Sequence, residues 1–402
     1  MSYSKAQIAN LCTLVTSGGT PLTSVPAYYD PKEIPWLKTG EVNYCRIYDT
    51  ECYISKEGLA RSSAKMIPAN SVVVAMYGQG DTAGRVAINK IPLSTNQACC
   101  NLVINHVIAD YEYVYYALCT LYDRLVALKN GGAQPNLNTK KIKAIEIPFP
   151  DLETQRTIAS VLGAYDNLIE NNQKQIKLLE EAAQRLYKEW FVDLRFPGYE
   201  DTPIVDGVPE GWSLSPISDF GEVVTGKTPS TEKKEYYGGN IPFVKIPDMH
   251  GCVYPVITES SLTEAGAKTQ INKFIPRNSI MVSCIATVGL VNIAVGRCQT
   301  NQQINSIILS DERDLYYVFS AMKRLKELLE GVGSNGATMT NVNKTKFASL
   351  PVLYPSEELR DSYYSFCKPI FEKIYNLSLS VVGLKKARDR LLPKLMNGEI
   401  EV

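Results

Sequence analysis

The apolar residues of this chain follow two different periods, and the chain switches from one to the other twice. From Ile158 onward they recur at alternating spacings of four and three: Ile158, Leu162, Tyr165, Ile169, Asn172, Ile176, Leu179, Ala183, Leu186 and Trp190. That rhythm is a coiled-coil seam about 4.5 heptads long, on a helix that would span roughly 60 Å. Asp151, just after Pro150, is placed to cap its start. Asn172 falls on the seam, where a polar residue fixes register at some cost in stability. A second seam follows strict sevens through Tyr363, Ile370, Leu377, Leu384 and Leu391, with Phe366, Val381 and Leu395 between. Pro369 interrupts it and predicts a kink or a restarted helix. Ahead of each seam lie short apolar runs broken by Gly, Pro and Asn. Ser71 to Met76 and Ile280 to Ile285 read as strands, and Tyr113 to Lys129 and Leu315 to Glu330 as helices.

The chain also says nearly the same thing twice. Ile67-Pro68-Ala69-Asn70-Ser71 returns as Ile275-Pro276-Arg277-Asn278-Ser279, at an offset of 208. Thr95-Asn96-Gln97 returns as Thr300-Asn301-Gln302, and Asn136-Leu137-Asn138 as Asn341-Val342-Asn343, both at 205. Leu179, Ala182, Arg185 and Leu186 return at the same offset as Leu384, Ala387, Arg390 and Leu391. A period this long excludes a solenoid, whose units run roughly 20–50 residues. It implies a pseudo-two-fold molecule suited to a partner with two-fold features of its own. The organisation read from the pattern is 1–150 mixed, 151–198 helical, 199–355 mixed and 356–402 helical. The Pro- and Gly-rich stretch from Phe196 to Gly211 serves as the link between copies.

Composition narrows the function classes. The 402 residues are 45% hydrophobic and 21% charged, which describes a globular chain. Met1-Ser2-Tyr3-Ser4-Lys5 lacks the apolar core of a signal peptide. Asn278 to Gly296 carries no charged residue, but its serines, glycine and asparagine fit two buried strands joined by a turn better than a membrane span. The ten cysteines form no C-x-x-C pair, so reduced thiols and a cytoplasmic setting are expected, with no metal. Net charge is zero, and no segment is a basic block: residues 1–150, 151–200, 201–355 and 356–402 carry +3, −3, −1 and +1. A nucleic-acid role therefore needs local patches, or a partner that shares the phosphate attraction.

Motifs for chemistry are scarce. Gly221-Glu222-Val223-Val224-Thr225-Gly226-Lys227-Thr228 satisfies the phosphate-loop formula. Val223 and Val224 favour a strand, however, and Pro229 follows where a helix should begin. Gly78 to Gly84 leads from one strand into another, which makes it a hairpin loop and not a dinucleotide turn. His106 and His250, the only histidines, lack metal-ligand spacing. These absences argue against an enzyme. What remains is polar loop chemistry. Asn and Gln can pair with an adenine edge, and Lys or Arg can neutralise phosphate. The candidate DNA contacts are Lys38, Thr39, Arg85, Gln134, Asn136, Lys140 and Lys141 in the first copy. In the second they are Lys233, Lys245, Asn341, Asn343, Lys344 and Lys346. The amides shared by both copies can equally brace a turn. Specificity is expected where the copies differ, between Pro21 and Ile54 and between Pro229 and Ile257.

Several segments together resemble the specificity subunits of type I restriction–modification systems. Gly226-Lys227-Thr228-Pro229-Ser230 with Ile241-Pro242-Phe243-Val244 is similar to the opening of that family's target recognition domain, and Gly19-Thr20-Pro21 with Ile34-Pro35-Trp36-Leu37 is its weaker copy. Ile147-Pro148-Phe149-Pro150 with Glu153, Gln155, Arg156 and Ile158 resembles the start of the first helix, and Leu186 to Asp193 its end. Pro209-Glu210-Gly211-Trp212 and the carboxy-terminal run Leu391 to Ile400 extend the match. Copy two departs at Ser356-Glu357-Glu358-Leu359-Arg360, which leaves that helix start open. The resemblance implies an α+β chain: two pseudo-symmetric globular target recognition domains separated by two long antiparallel coiled-coil helices. Each domain would read one half of a split double-stranded DNA target. It also implies no catalysis here. Two methyltransferase subunits would bring S-adenosylmethionine, and restriction subunits would use ATP and Mg2+.

Overall fold

The computed structural model describes residues 3–129, 136–205, 207–331 and 341–402. The chain divides into two compact units: residues 1–167 with 385–402, and residues 168–384. Three sheets of the first recur in the second, the largest with one strand fewer, and the second adds the short pair Ile204–Val205 and Val208–Pro209.

In the first unit a five-stranded sheet runs in the order Cys12–Ser17, Cys99–Ile104, Ser71–Ala75, Val86–Asn89, Cys45–Ile47. Its pairs are antiparallel except the last. A three-stranded sheet orders Tyr53–Ile54, Ile34–Leu37 and Ser94–Thr95, and Lys5–Gln7 pairs with Glu146–Pro148. The second unit repeats this design. Its four-stranded sheet orders Gly221–Thr225, Ile304–Leu309, Ile280–Ser283 and Val291–Ile293. Its three-stranded sheet orders Ser260–Leu262, Tyr237–Val244 and Gln299–Thr300, and Ser213–Pro216 pairs with Pro351–Tyr354.

The central strands are buried on both faces, which is why they read as unbroken apolar runs. Side chains alternate across a strand. Val72 and Val74 accordingly join the core beneath the helices, while Val73 and Ala75 join a smaller core with Leu37, Val42 and Ile47. Ile280 and Val282 against Met281 divide in the same way. The charge-free stretch after Asn278 is the expected pair of antiparallel strands. Among the described residues no helix is long and apolar enough to cross a membrane.

The repeated sequence landmarks are braces of this scaffold. Asn70 and Asn278 take the left-handed backbone, with φ of 62° and 65°, a conformation asparagine tolerates. Ser71 and Ser279 donate to the carbonyls of Pro68 and Pro276 at 2.9 and 2.8 Å. Thr20 donates to Gln97, and Thr228 to Gln302. Gly18 and Gly226 lie so close to Thr95 and Thr300 that a Cβ would sit within 2.1–2.3 Å of their atoms, which excludes any other residue.

The two long helices are Leu152–Phe191 and Glu357–Met396. Asp151 caps the first, accepting from the Thr154 amide at 2.9 Å. Ser356 caps the second through the Leu359 amide at 3.4 Å, which settles the start that the sequence left open. The helices run antiparallel within each unit. In the second unit Asn172 donates to Ser380 at 3.1 Å while Trp190 lies 5.8 Å from Tyr363. In the first, Asp166 meets Arg388, and Ile158 and Leu162 share a core with Leu395 and Met396.

Three expectations change. The helix does not restart at Pro369, because Cys367, Phe371 and Ile374 bury firmly around it and outweigh one missing hydrogen bond. The helices expected over Tyr113–Lys129 and Leu315–Glu330 are each two: Tyr111–Cys119 with Tyr122–Ala127, and Leu315–Lys323 with Leu325–Gly331. At the first break Thr120 turns its hydroxyl onto the Ala117 carbonyl at 2.7 Å, competing with the helical ladder. Finally, the seam is wider than a two-helix stripe. Ile158, Leu162, Ile169 and Leu377 are buried, but Ile176, Leu179, Leu186, Ile370, Leu384 and Leu391 are half-buried. Tyr187, Cys367, Phe371 and Ile374 take deeper places, and Phe366 is 60% exposed. Each helix packs on a sheet domain as well as on its partner, so its apolar face must be broader than a heptad seam.

The end of the first long helix belongs to the core of the second unit. Phe191 lies 4.7 Å from Tyr317, 5.0 Å from Tyr363 and 5.8 Å from Trp212 between ring centroids. Replacing Phe191 by Ala should lower stability by about 3–5 kcal/mol. Chemical denaturation followed by fluorescence measures this, and a loss below about 1 kcal/mol would mean the helix end is only a tether.

Candidate nucleic-acid interface

The sequence-predicted contacts fall into two groups in each unit. In the first unit Lys38 and Thr39 leave strand Ile34–Leu37 at a tight corner. Glu41 holds that corner by accepting from the Lys38 amide at 3.1 Å and the Glu51 amide at 3.0 Å. Lys38 is exposed, with its ammonium 5.3 Å from the Trp36 ring, whereas Thr39 is 8% exposed and faces the base of the Gly78 loop. Arg85 closes that same loop, donating to Asp81 at 2.6 Å and to Asn43 at 3.1 Å. Its guanidinium holds the Asp81 carboxyl below the usual carboxylate range. The Lys38 corner and Arg85 therefore meet around one hairpin.

The other group is carried by Thr139–Lys143, a short helix capped by Asn138, which accepts from the Lys141 amide at 2.9 Å. Asn136 and Lys140 are exposed, and Lys141 donates to the Leu128 carbonyl at 2.5 Å. The Leu137 amide is tied to Met76 at 3.0 Å, which brings this segment beside the Gly78 hairpin. Gln134 lies outside the described residues.

The second unit repeats the corner. Asp248 accepts from the amides of Lys245 and Glu259 at 2.8 Å each, and the Lys245 side chain pairs with Glu259 at 3.2 Å. Lys233 is exposed and donates to the Tyr236 hydroxyl at 3.1 Å, which holds it above the usual ammonium value. Asn341 bridges to Ile285 at the hairpin after Ile280–Ser283. Asn343 caps Lys344–Ala348 through the Lys346 amide at 2.9 Å. Asn138 and Asn343 thus both brace turns. Lys344 is exposed and Lys346 half-buried.

The phosphate-loop formula fails on geometry. Gly221–Thr225 is a strand, residues 226–230 after it are not helical, and the Lys227 backbone is strapped to the Thr300 carbonyl at 2.9 Å. Among the described residues no group of three or more His, Cys, Asp or Glu could hold a metal ion.

Two buried polar contacts escaped the sequence reading. In the first unit Gln155 accepts from the Asp110 amide at 3.1 Å and donates to the Pro150 carbonyl at 2.9 Å. At the matching place in the second unit Arg360 donates to Asp314 at 2.6 Å, both side chains being under 10% exposed. Asp110 caps its helix, while Asp314 gives up that capping for the ion pair. Burial keeps the Asp314 carboxyl above its ordinary value despite Arg360. The departure from the Glu-Gln-Arg form was the only signal.

The type I restriction modification DNA specificity domain matches residues 3–181 and again residues 209–363. The chain belongs to that family. It is 33% identical over 342 residues to the HindI specificity subunit of Haemophilus influenzae, covering 70% of this chain and 74% of that one. It is 29% identical to the MjaIX specificity subunit of Methanocaldococcus jannaschii over 96% and 91% of the two chains. Its fold resembles the type I restriction–modification S subunit from M. genitalium, with a TM-score of 0.62 over 98% and 96% of the chains at 16% identity. It is a non-catalytic specificity subunit that recognises DNA.

Arg360→Ala should cost about 3–5 kcal/mol by stranding Asp314. Adding Asp314→Asn should return part of that loss, and a double-variant loss equal to the sum of the two single losses, by denaturant titration, would show that the pair is not coupled.

Proposed function

We propose that each mixed domain of this specificity subunit reads one half of a split duplex target, while the long helices set the gap between halves. Two methyltransferase subunits would dock on the helices and bring S-adenosylmethionine. Restriction subunits would use ATP and Mg2+, and assembly would take place in the cytoplasm. The observation that carries this reading is the repeated scaffold with unlike loops. The same braces hold Lys38 and Lys245 at equivalent corners. Around those corners, however, Thr39 is replaced by Ile246, and the Gly78-Gln79-Gly80-Asp81 hairpin by Ile285-Ala286-Thr287. Two equal frames carrying different polar groups suit two different half-sites.

Charge supports partner subunits. Arg85 and Lys245 are already paired with Asp81 and Glu259, and the net charge is zero. Phosphate neutralisation dominates DNA affinity, so a neutral chain fits an assembly whose other members supply cations. The helices also leave apolar side chains in solvent, among them Leu168, Leu178, Phe366 and Leu379, as a surface to be covered would.

Exchanging residues 1–150 for another recognition domain should change one half of the methylated sequence and leave the other intact. Mapping of methyladenine across the genome reads the result, and changes in both halves would refute modular reading. Removing one helical turn within residues 160–190 should alter the gap or abolish assembly. An unchanged gap at full activity would show that the helices are not the ruler.

A further inference from the structure

A glycine interrupts the first long helix at Gly163, in the part that packs on the first unit's domain. Glycine is unfavourable in a helix interior, so its place calls for a local reason. The Arg46 guanidinium supplies one. A Cβ at position 163 would lie 3.2 Å from Arg46 Nη2 and 3.3 Å from Glu112 Oε2. Arg46 stands on edge strand Cys45–Ile47, a few residues after the Lys38 corner. Its side chain is 4% exposed. It donates to Asn167 Oδ1 on the long helix at 2.5 Å and to Glu112 at 3.3 Å. Glu112 is held in turn by Lys90 at 2.8 Å.

The second unit fills the same place differently. Val253 stands at the position of Arg46 and Tyr316 at that of Glu112. Tyr316 stacks on Phe371 at 4.4 Å and on Tyr364 at 5.3 Å. At this place one domain meets its helix through directional charged hydrogen bonds and the other through aromatic faces.

We infer that Arg46 is a positioning residue for gap length: by locking the edge strand of the first recognition domain to the long helix at Gly163 and Asn167, it fixes the angle at which that domain meets its half-site. The inference rests on the bipartite reading above. Adding one base pair to the gap moves a half-site by about 3.4 Å and turns it by roughly 35°. A domain free to rock on its helix accommodates part of that change, and a locked one rejects it. Arg46 reads no base in this role, so half-site sequences stay as they are.

The test uses the full chain with its methyltransferase partner in a host genome, with methyladenine mapped at every spacing. The variants are Arg46→Ala, Arg46→Lys and Gly163→Ala. For Arg46→Ala, methylation at gaps one base pair longer or shorter should rise about tenfold relative to the wild-type gap, with both half-sites unchanged. Arg46→Lys should recover only part of the discrimination, because an ammonium cannot serve both acceptors in the guanidinium's fixed geometry. Gly163→Ala separates positioning from folding. Alanine favours the helix, so a merely structural role predicts equal or higher thermal stability and an unchanged gap. Displacement of Arg46 predicts a relaxed gap in a chain that still folds. If Arg46→Ala does not fold, Gly163→Ala decides alone. A wild-type gap in the folded variants overturns the inference, as does uniform loss of methylation at every spacing. A wild-type chain that directs no split motif would overturn the bipartite reading itself.

Discussion

The apolar face of two 40-residue helices is the constraint on which the rest of the structure depends. No isolated helix of that length can leave such a face in water. Here each helix spends its two ends on different partners. The start of the first lies in the core with Tyr113 and Tyr116, and its end lies among Tyr317, Phe319 and Trp212. The helix thus supplies core residues to each unit.

Covering a helix with a sheet domain also explains why heptad reading succeeded only in part. Ile158, Leu162 and Ile169 were legible because any packing of that helix buries them. The positions where the helix turns toward the domain were not. Tyr187 and Phe371 sit one residue from the ideal seam, since the buried stripe there is shared between a helix and an aromatic core. Pro369 did not end the helix because the rule for isolated helices takes no account of the side chains packed around it. The repeats were legible for a different reason. Thr95-Asn96-Gln97 and Thr300-Asn301-Gln302 hold strand ends and loops by side-chain hydrogen bonds that few residues could replace. The identity of base-reading groups was not legible, because exposed polar residues are interchangeable in composition and differ only by what they meet.

The two copies keep geometry and change chemistry at buried junctions. Gln155 bonds to a backbone amide where Arg360 pairs with a carboxylate. Glu112 receives a guanidinium where Tyr316 receives two aromatic faces. Such exchanges come as sets, because a buried charge without its partner is costly. Swapping single residues between copies is therefore unfavourable, and an exchange of residues 1–150 keeps Arg46 with Glu112 and Lys90 but parts Asp110 from Gln155. The buried junctions resist change at the scale of a side chain, whereas loops remote from them do not.

That asymmetry bears on how recognition can diverge. A surface loop such as Gly78 to Gly84 is anchored at its ends, by Arg85 to Asp81 and Asn43 and by the Leu137 amide at Met76. Its tip is solvent-facing at Gln79 and Gly80. Changing the tip disturbs neither anchor nor core, so new hydrogen-bonding patterns cost little stability there. The corner at Lys38 offers less freedom, because Glu41 already spends its carboxylate on two amides. Change is therefore tolerated first at hairpin tips, with the lysine corners kept as fixed points of the frame.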